Sequence, residues 1–459
     1  MRLTNRGARP TLLPREPAPP DAMYAQHPRD VSPHVLAMVG LPARGKTSIA
    51  RKITRYLSWL GHPTRVFNVG SYRRNLLGAH QPADFFDPGN REARKALDDM
   101  AMAALDDLFA WLGGGGEVAI FDATNSTRAR RQIVADRCRY QGYPVVFIES
   151  VCNDEAIIEA NVRETKLRSP DYEGADPTEA VRDFRARIAH YTRAYETVGD
   201  PEKSYIKIID VGRQVVLNRI HGYLPGRLVP LLTNMHVAPR PIWLTRHGES
   251  VFNQQGLLGG DPDLSPRGEE YARNLAAFVR GRARELGEAS GVPGEPAWIP
   301  DDVVVWTSSL RRTIQTARAV TQRSTSWRAL DEIDAGVCEG MTYEEIRIRM
   351  PDVFHARSME KFRYRYPRGE SYEDVIQRLD PLIIQLERQR NPILVIAHQA
   401  VLRALYAYLM DKPPQTCPTL PIPLHTVIEL VPTAYGCEER RFQLGPNLPS
   451  AGQDAIAHP

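Results

Sequence analysis

Cysteine is scarce. Cys138, Cys152, Cys338, Cys417 and Cys437 lie far apart in a chain of 459 residues. Their number is odd and they form no C-x-x-C pair, which argues against a disulfide framework or a zinc knuckle and fits a reducing cytosol. Long apolar runs are also missing. Those present, such as Val145–Ile148 and Ile393–Ala397, are strand-sized and far below a membrane span. Neither sign of charge dominates, because the formal net charge is only +4. A strong field for nucleic acid or a membrane surface is therefore not expected, whereas local basic pockets are compatible with this balance. Internal repeats are absent as well. These absences describe a cytoplasmic protein with no nucleic-acid or membrane partner.

The rest of the composition is that of a globular protein. Hydrophobic content of 42% and charged content of 25% over this length fit two or three domains. Residues 1–33 differ, with seven prolines, five arginines and only three acids. They read as a disordered tail. A transit peptide is the rival reading, but Pro10, Pro14, Pro17, Pro19 and Pro20 would break its amphipathic helix. From His34 short apolar runs alternate with helical patterns, which predicts strand–helix units on a parallel sheet. Expected strands are Val35–Val39, Arg65–Val69, Val118–Phe121, Val145–Glu149 and Ile206–Asp210. Helices are expected at Thr47–Leu60 and at Arg91–Leu112, the latter stopped by Gly113–Gly116.

A second alternating series begins near Pro241, with strands at Ile242–Thr245, Val303–Thr307 and Ile393–Ala397 and a further apolar run at Thr426–Val431. Between the two series, Leu224–Arg240 carries Pro225, Pro230 and Pro239 and reads as the boundary. The expected organisation is a tail (1–33), an α/β domain (34–225), a linker (226–240), a second α/β domain (241–445) and a short tail (446–459). Gly281–Pro300, rich in Gly, Pro and Glu, reads as a surface insertion.

Gly40–Thr47 reads GLPARGKT and matches the P-loop pattern G-x-x-x-x-G-K-[ST]. A strand ends at Gly40 and a helix begins at Thr47, so backbone N–H groups and a helix N-terminus would face phosphates. Lys46 would reach the β- and γ-phosphates, and the Thr47 hydroxyl would hold Mg²⁺. Asp122, at the end of the Val118–Phe121 strand, could order the metal, accept the proton of an attacking hydroxyl, or both. The plain alternative for Asp122 is a solvated strand end. The stretch that follows, with Arg128, Arg130 and Arg131 among hydroxyls, suits an anionic acceptor, although at least one of these arginines should face water. Tyr72, Arg73 and Arg74 form a second basic point and Lys166 a third.

In the second half, Leu244–Ser250 reads LTRHGES after a strand. A neutral imidazole there can attack phosphorus in line and form a phosphohistidine, and the charge that develops on the phosphoryl oxygens needs cationic clamps. Arg246 is one, Arg312 after the next strand is a second, and His398 after Ile393–Ala397 is a third. All would meet at the C-terminal edge of a parallel sheet. A lone strand-end His is more often structural, but three such positions in the order His-Arg-His point to chemistry. The departing alcohol needs a proton, for which Glu332 is the leading acid and Asp334 and Glu339 are close rivals.

Four blocks of the first half resemble the kinase half of the 6-phosphofructo-2-kinase/fructose-2,6-bisphosphatase family. They are Gly40–Thr47, Phe121–Asn125 (FDATN), Phe147–Asp154 (FIESVCND) and Ser169–Tyr172 (SPDY). The second half resembles the bisphosphatase half, within the histidine phosphatase superfamily, at LTRHGES, Glu332–Ile346, Tyr364–Asp374 and Ile396–Arg403. The resemblance implies a P-loop NTPase-like kinase domain followed by a phosphoglycerate-mutase-like phosphatase domain. It implies MgATP-dependent phosphorylation of fructose 6-phosphate at the 2-hydroxyl and hydrolysis of that phosphate from fructose 2,6-bisphosphate. It further implies Mg²⁺ with ATP in the first half, no cofactor in the second, and a homodimer paired through the kinase halves.

By the same resemblance Gly40, Gly45, Lys46, Thr47, Ser48, Asn161 and Lys166 belong to the ATP site, with Asp122 and Cys152 at the catalytic centre. Arg73, Thr124, Arg130, Lys166, Arg187 and Tyr191 match the contacts to fructose 6-phosphate. In the second half Arg246, Asn253 and Gly259 line the bisphosphate site, and Tyr343, Arg357, Lys361, Tyr372, Gln399 and Arg403 hold the 6-phosphate and sugar. The pattern breaks at Leu97, where the family carries a substrate-binding arginine. Arg94, on the same expected helix face, is the substitute the sequence offers. Leu257 likewise replaces a basic residue. The alternative reading is therefore a chain with one weak half, the kinase first. A phosphoglycerate-mutase-like activity and a non-enzymatic sensor are further rivals, disfavoured by the basic, tyrosine-rich stretch Arg357–Tyr372 and by intact Lys46, Thr47, Asp122 and His247.

Overall fold

A computed structural model describes residues 32–163, 170–199, 204–236, 240–289, 300–433 and 436–445. Both tails, Lys166 and part of the 281–300 stretch thus lie outside the described residues. The first half runs β1 (His34–Val39), α1 (Lys46–Trp59), β2 (Thr64–Asn68), α2 (Val69–Leu77), α3 (Arg91–Gly113) and β3 (Val118–Asp122). It continues with α4 (Arg128–Tyr140), β4 (Val145–Val151), α5 (Glu155–Asn161), α6 (Pro177–Arg193), β5 (Tyr205–Ile209) and β6 (Gln214–Asn218). Helix α7 (Tyr223–Asn234) follows. The second half runs β7 (Ile242–Arg246), α8 (Val251–Gln255), α9 (Pro266–Ala289), β8 (Val304–Thr307), α10 (Arg311–Arg318), β9 (Ser324–Ser326), α11 (Tyr343–Arg349) and α12 (Pro351–Met359). It ends with α13 (Tyr372–Arg388), β10 (Ile393–Ala397), α14 (Gln399–Leu409), β11 (Thr426–Pro432) and β12 (Cys437–Gln443).

Each half is built on a six-stranded sheet, ordered β2-β3-β1-β4-β5-β6 in the first and β12-β11-β7-β10-β8-β9 in the second. The central strands β1, β3, β7 and β10 are mainly apolar and buried along almost their whole length, as strands covered on both faces must be. Sheet order, helical cover and the expected α/β class agree. The sheets are not purely parallel, however: β5–β6, β7–β11 and β11–β12 pair antiparallel. Strands β6, β9 and β12 carry no sequence expectation. Their sequences, such as CEERRFQ in β12, lack a buried apolar run and take strand form by pairing along a sheet edge.

Two stretches read as irregular are partly helical. The proline-rich boundary contains α7, which buries Leu224, Leu228, Leu231 and Leu232. Pro225 is tolerated there because the first turn of a helix has no intrahelical use for its N–H groups. The 281–300 stretch begins as a continuation of α9, with Ala283 fully buried in the core of the second half. Burial of one face outweighs the local breakers in both places.

The described residues from Pro33 onward form one compact unit, and the two halves meet through helices. Trp59 at the end of α1 donates Nε1–H to the Ala404 carbonyl of α14 at 2.9 Å and packs edge-on against Tyr408. Beside it lies Glu387 of α13, buried, which accepts from Lys52 at 3.2 Å, Arg55 at 2.8 Å and Tyr408 at 2.7 Å. The cations hold its carboxyl well below the usual carboxylate range against the opposing effect of burial. Tyr56 adds a bond to Asp380 at 2.5 Å. Removing one member of such a buried set leaves charge uncompensated. Glu387→Ala is expected to destabilise the chain by about 3–5 kcal/mol, read as a lower unfolding midpoint. A midpoint equal to that of the wild type would contradict this account of the interface.

Candidate active sites

The first site grows from the end of β1. Gly40 has φ of 139°, and a Cβ there would stand 2.5 Å from the Ser150 carbonyl oxygen, so only glycine lets the loop pass β4. Gly45, at φ 79°, is the left-handed residue from which α1 starts. The loop is held from several sides. Gly40 N–H donates to Thr124 O at 3.0 Å, Asn161 Nδ2 donates to Ala43 O at 3.1 Å, and the Ser150 hydroxyl donates to Arg44 O. The first turn of α1 contains no acidic residue, so nothing competes with an anion for its N–H groups. Lys46 is buried and its Nζ lies 2.7 Å from Leu41 O, folded along the loop. Ser48 is half-buried in the same turn.

Asp122 is buried, not solvated. Its Oδ2 accepts from Thr47 Oγ1 at 2.9 Å and from Asn68 Nδ2 at 2.6 Å. Cys152 packs with Ala43 of the loop in a small apolar cluster, and burial pushes its thiol up. Its place beside the loop is the one expected, and a neutral, enclosed thiol of this kind contributes packing there.

Beside Asp122 the structure gathers the expected acceptor residues. The Tyr191 hydroxyl lies among the guanidinium groups of Arg73, Arg187 and Arg130 and bonds with Thr124. Arg187 is buried and stacks 4.6 Å from the centre of the Phe86 ring and 4.8 Å from that of Tyr172. These cations already have acidic partners. Arg73 bonds Asp171 at 2.5 Å, Arg187 bonds Asp183 at 2.9 Å, and Arg130 pairs with Asp98. The Nη1 atoms of Arg73 and Arg130 are nevertheless buried without a hydrogen-bond partner among the described residues. Arg131 turns inward to backbone carbonyls while Arg128 faces water, which divides the arginine run as the sequence suggested. Leu97 is half-buried on α3, and Arg94 is exposed.

The second site lies at the C-terminal edge of the second sheet. β7 and β10 pair in parallel with Arg246 opposite Ala397, and His247 N–H donates to Ala397 O at 3.1 Å. His247 Nδ1 lies 2.7 Å from Gly248 O, so Nδ1 carries the proton and Nε2 the lone pair. Arg312 organises the centre. Its Nε is 3.0 Å from His247 Nε2, its Nη2 is 3.1 Å from His398 Nδ1, and its Nη1 donates to Gly260 O at 2.8 Å. The other nitrogen of His398 lies 2.8 Å from Ser308 Oγ. Burial, then the Arg312 guanidinium, holds both imidazoles well below their usual range. Burial also lowers Arg246 to about 10, which leaves it charged at neutral pH.

Of these groups Arg246, His247 and Arg312 line a cavity of about 580 Å³, while His398 is fully buried beside Arg312. Glu332 lines it, anchored by N–H groups of Gln399 at 3.1 Å and Ala400 at 3.2 Å at the start of α14. Its rivals do not. Asp334 is exposed and bonds Gly336 N–H, and Glu339 bonds Ala335 N–H at 2.9 Å. The far wall holds Arg357, clamped between Tyr343 at 2.9 Å and Tyr366 at 2.5 Å, and Arg403, whose Nη1 is 3.3 Å from the Tyr372 hydroxyl. Lys361 stands between them, lowered to about 7 by burial and then by Arg357 and Arg403. Gln399, Asn253, Gly259 and Leu257 also line it. Gly259 has φ of 64°, and a Cβ there would collide with the Glu339 carboxylate.

Sequence reasoning overlooked Asn68, Ser308 and Tyr366. Asn68 stands at a strand-to-helix junction, a recognisable capping position, but nothing local reveals its reach to Asp122. Tyr364 and Tyr366 are both buried and line the cavity.

Residues 22–239 match the family described as 6-phosphofructo-2-kinase, and residues 242–292 and 294–444 match the histidine phosphatase superfamily (branch 1). The "6-phosphofructo-2-kinase/fructose-2,6-bisphosphatase" of Gallus gallus is 50% identical over 411 residues, covering 88% of this chain and 84% of that protein. The "6-phosphofructo-2-kinase/fructose-2,6-bisphosphatase 4" proteins of Rattus norvegicus and Homo sapiens are each 49% identical over 410 residues, with the same coverage.

The electrostatics of the second site can be read directly. NMR titration of histidine-labelled protein, with His247→Ala to assign the signal, should show the His247 imidazole still neutral well below its ordinary 6.5. Titration near that ordinary value would contradict the burial and the cation contacts described.

Proposed function

Because the chain belongs to the 6-phosphofructo-2-kinase/fructose-2,6-bisphosphatase family, and is thereby a bifunctional enzyme that makes and removes the 2-phosphate of fructose 2,6-bisphosphate, we propose the following roles for its side chains. In the kinase half the Gly40–Ser48 loop binds the ATP phosphates through backbone N–H groups and Lys46, with Asn161 bracing the loop and Lys166 completing the site. Arg73, Arg130, Arg187, Tyr191 and Thr124 hold the 6-phosphate end of the acceptor. Both bonds to Asp122 fall on Oδ2, so Oδ1 is the oxygen left to take the proton of the sugar 2-hydroxyl as it attacks the γ-phosphorus. Thr47 and Asp122 offer adjacent hard oxygen ligands that fit Mg²⁺, whose other positions water and phosphate would fill. Bound there, the ion neutralises charge on the phosphates.

In the phosphatase half His247 Nε2 attacks the 2-phosphorus while the Nδ1–H bond to Gly248 fixes the tautomer. Arg246 and Arg312 hold the phosphoryl oxygens with their charge, and His398, neutral before the phosphate arrives, joins them once that negative charge favours its protonated form. Glu332 donates its proton to the departing 2-oxygen, then takes one from the water that attacks the phosphohistidine. Arg357, Lys361 and Arg403 receive the 6-phosphate, with Tyr343, Tyr372 and Gln399 against the sugar. The homodimer expected from the family fits a kinase sheet whose strand β6 lies at an edge.

One observation carries the phosphatase reading: a single guanidinium joins His247 to His398 beside the cavity that Glu332 lines. Fructose 2,6-bisphosphate labelled at the 2-phosphate should leave trapped label on the wild type and none on His247→Ala. Label on that variant would sink the assignment.

Lys361 supplies a second test. It is protonated below about 7 and neutral above, and a phosphate prefers the protonated form. The KM for the bisphosphate should therefore rise with pH above 7 more steeply in the wild type than in Lys361→Met, by up to about tenfold per unit. A ratio of the two KM values that does not change with pH would contradict this role.

A further inference from the structure

We propose that Asn68 is a positioning residue of the kinase reaction, fixing Asp122 and the acceptor-binding helix with one amide. Asn68 is the last residue of β2, and parallel pairing sets it directly opposite Asp122, the last residue of β3. Its Oδ1 accepts from Ser71 N–H at 3.0 Å and caps α2. That bond fixes the amide, because an oxygen must face the Ser71 donor. The nitrogen then points the other way and donates to Asp122 Oδ2 at 2.6 Å. Helix α2 carries Arg73, buried beside Tyr191 in the acceptor pocket. One planar side chain therefore joins the carboxylate to the helix that holds the sugar phosphate.

Three consequences follow from that geometry. With Oδ2 tied by Asn68 and Thr47, the carboxylate cannot rotate, and Oδ1 keeps a fixed aim at the acceptor hydroxyl. The distance between the proton acceptor and the phosphate clamp is set by one residue, so both shift together if α2 moves. Correct aim lowers the barrier of a transfer step far more than it tightens ground-state binding. The loss on breaking the tie should thus fall on kcat.

A plain helix cap is the competing role, and substitution separates the two. Serine and aspartate both cap well. Serine is too short to reach Asp122 as a donor, and aspartate has no proton to give and adds like charge. The inference rests on Asp122 as proton acceptor, so Asp122→Asn is the control for that reading. Asn68→Ser is expected to lower kinase kcat by about 10- to 100-fold and Asn68→Asp by more. The KM values for ATP and fructose 6-phosphate should stay within about threefold. Phosphatase activity of the same chain, which Asn68 does not touch, reports that the variants fold. An Asn68→Ser enzyme with wild-type kcat, or with only a raised sugar KM, makes Asn68 a cap alone and overturns the proposal. Loss of phosphatase together with kinase activity makes the role structural and overturns it as well. If Asp122→Asn keeps its kcat, the reading of Asp122 fails, whereas a dead Asp122→Asn beside a fully active Asn68→Ser sinks only the role of Asn68.

Discussion

Parallel pairing brings the last residues of neighbouring strands to one edge of a sheet, and both reactions of this chain depend on that constraint. In the kinase half β1 delivers the phosphate loop, β3 delivers Asp122 and β2 delivers Asn68, in register. In the phosphatase half β7 leads to His247, β8 leads to the turn before Arg312, and β10 leads to His398. Helices α1 and α14 start at these same edges, so each site also receives helix N–H groups. The helices then run back and meet. Trp59 of α1 touches α14 at Ala404, and Lys52 and Arg55 close on Glu387. The contact between the halves is thus made by the elements that begin at the two active sites.

The sites differ in how they treat their cations. Around His247 the arginines are stripped of water and close no ion pair among the described residues, and burial together with these cations holds both imidazoles neutral and draws Lys361 down to about 7. An incoming bisphosphate supplies the missing negative charge. Around Tyr191 the arginines instead lean on Asp171, Asp183 and Asp98. Leu97 belongs to the same setting. Its neighbour Asp98 pairs with Arg130, and the exposed Arg94 takes no place among the buried guanidinium groups.

Much of this was legible from residues alone because the central strands are mainly apolar and the catalytic groups follow them directly. The ends of β1 and β10 fall where Val39 and Ala397 suggested. What escaped was set by pairing across the fold. Strand β12 is polar and exists because β11 lies beside it. The prolines of α7 looked like breakers, but four buried leucines hold that helix against its neighbours. Glu332, Asp334 and Glu339 are equivalent in sequence, and only the path of the chain turns the first toward the cavity and the others away. Asn68 and Ser308 act on partners far along the chain, a reach no local pattern encodes.

One chain is expected to add a phosphoryl group to a sugar and then to remove it through His247. ATP labelled at its γ-phosphate, given with unlabelled fructose 6-phosphate, tests both steps in one vessel. The account requires label to appear first on the sugar 2-position, then on the protein, and last as free phosphate. Protein label should be absent without the sugar, absent in Lys46→Met and absent in His247→Ala. Protein label that forms without fructose 6-phosphate, or that survives in His247→Ala, would contradict it.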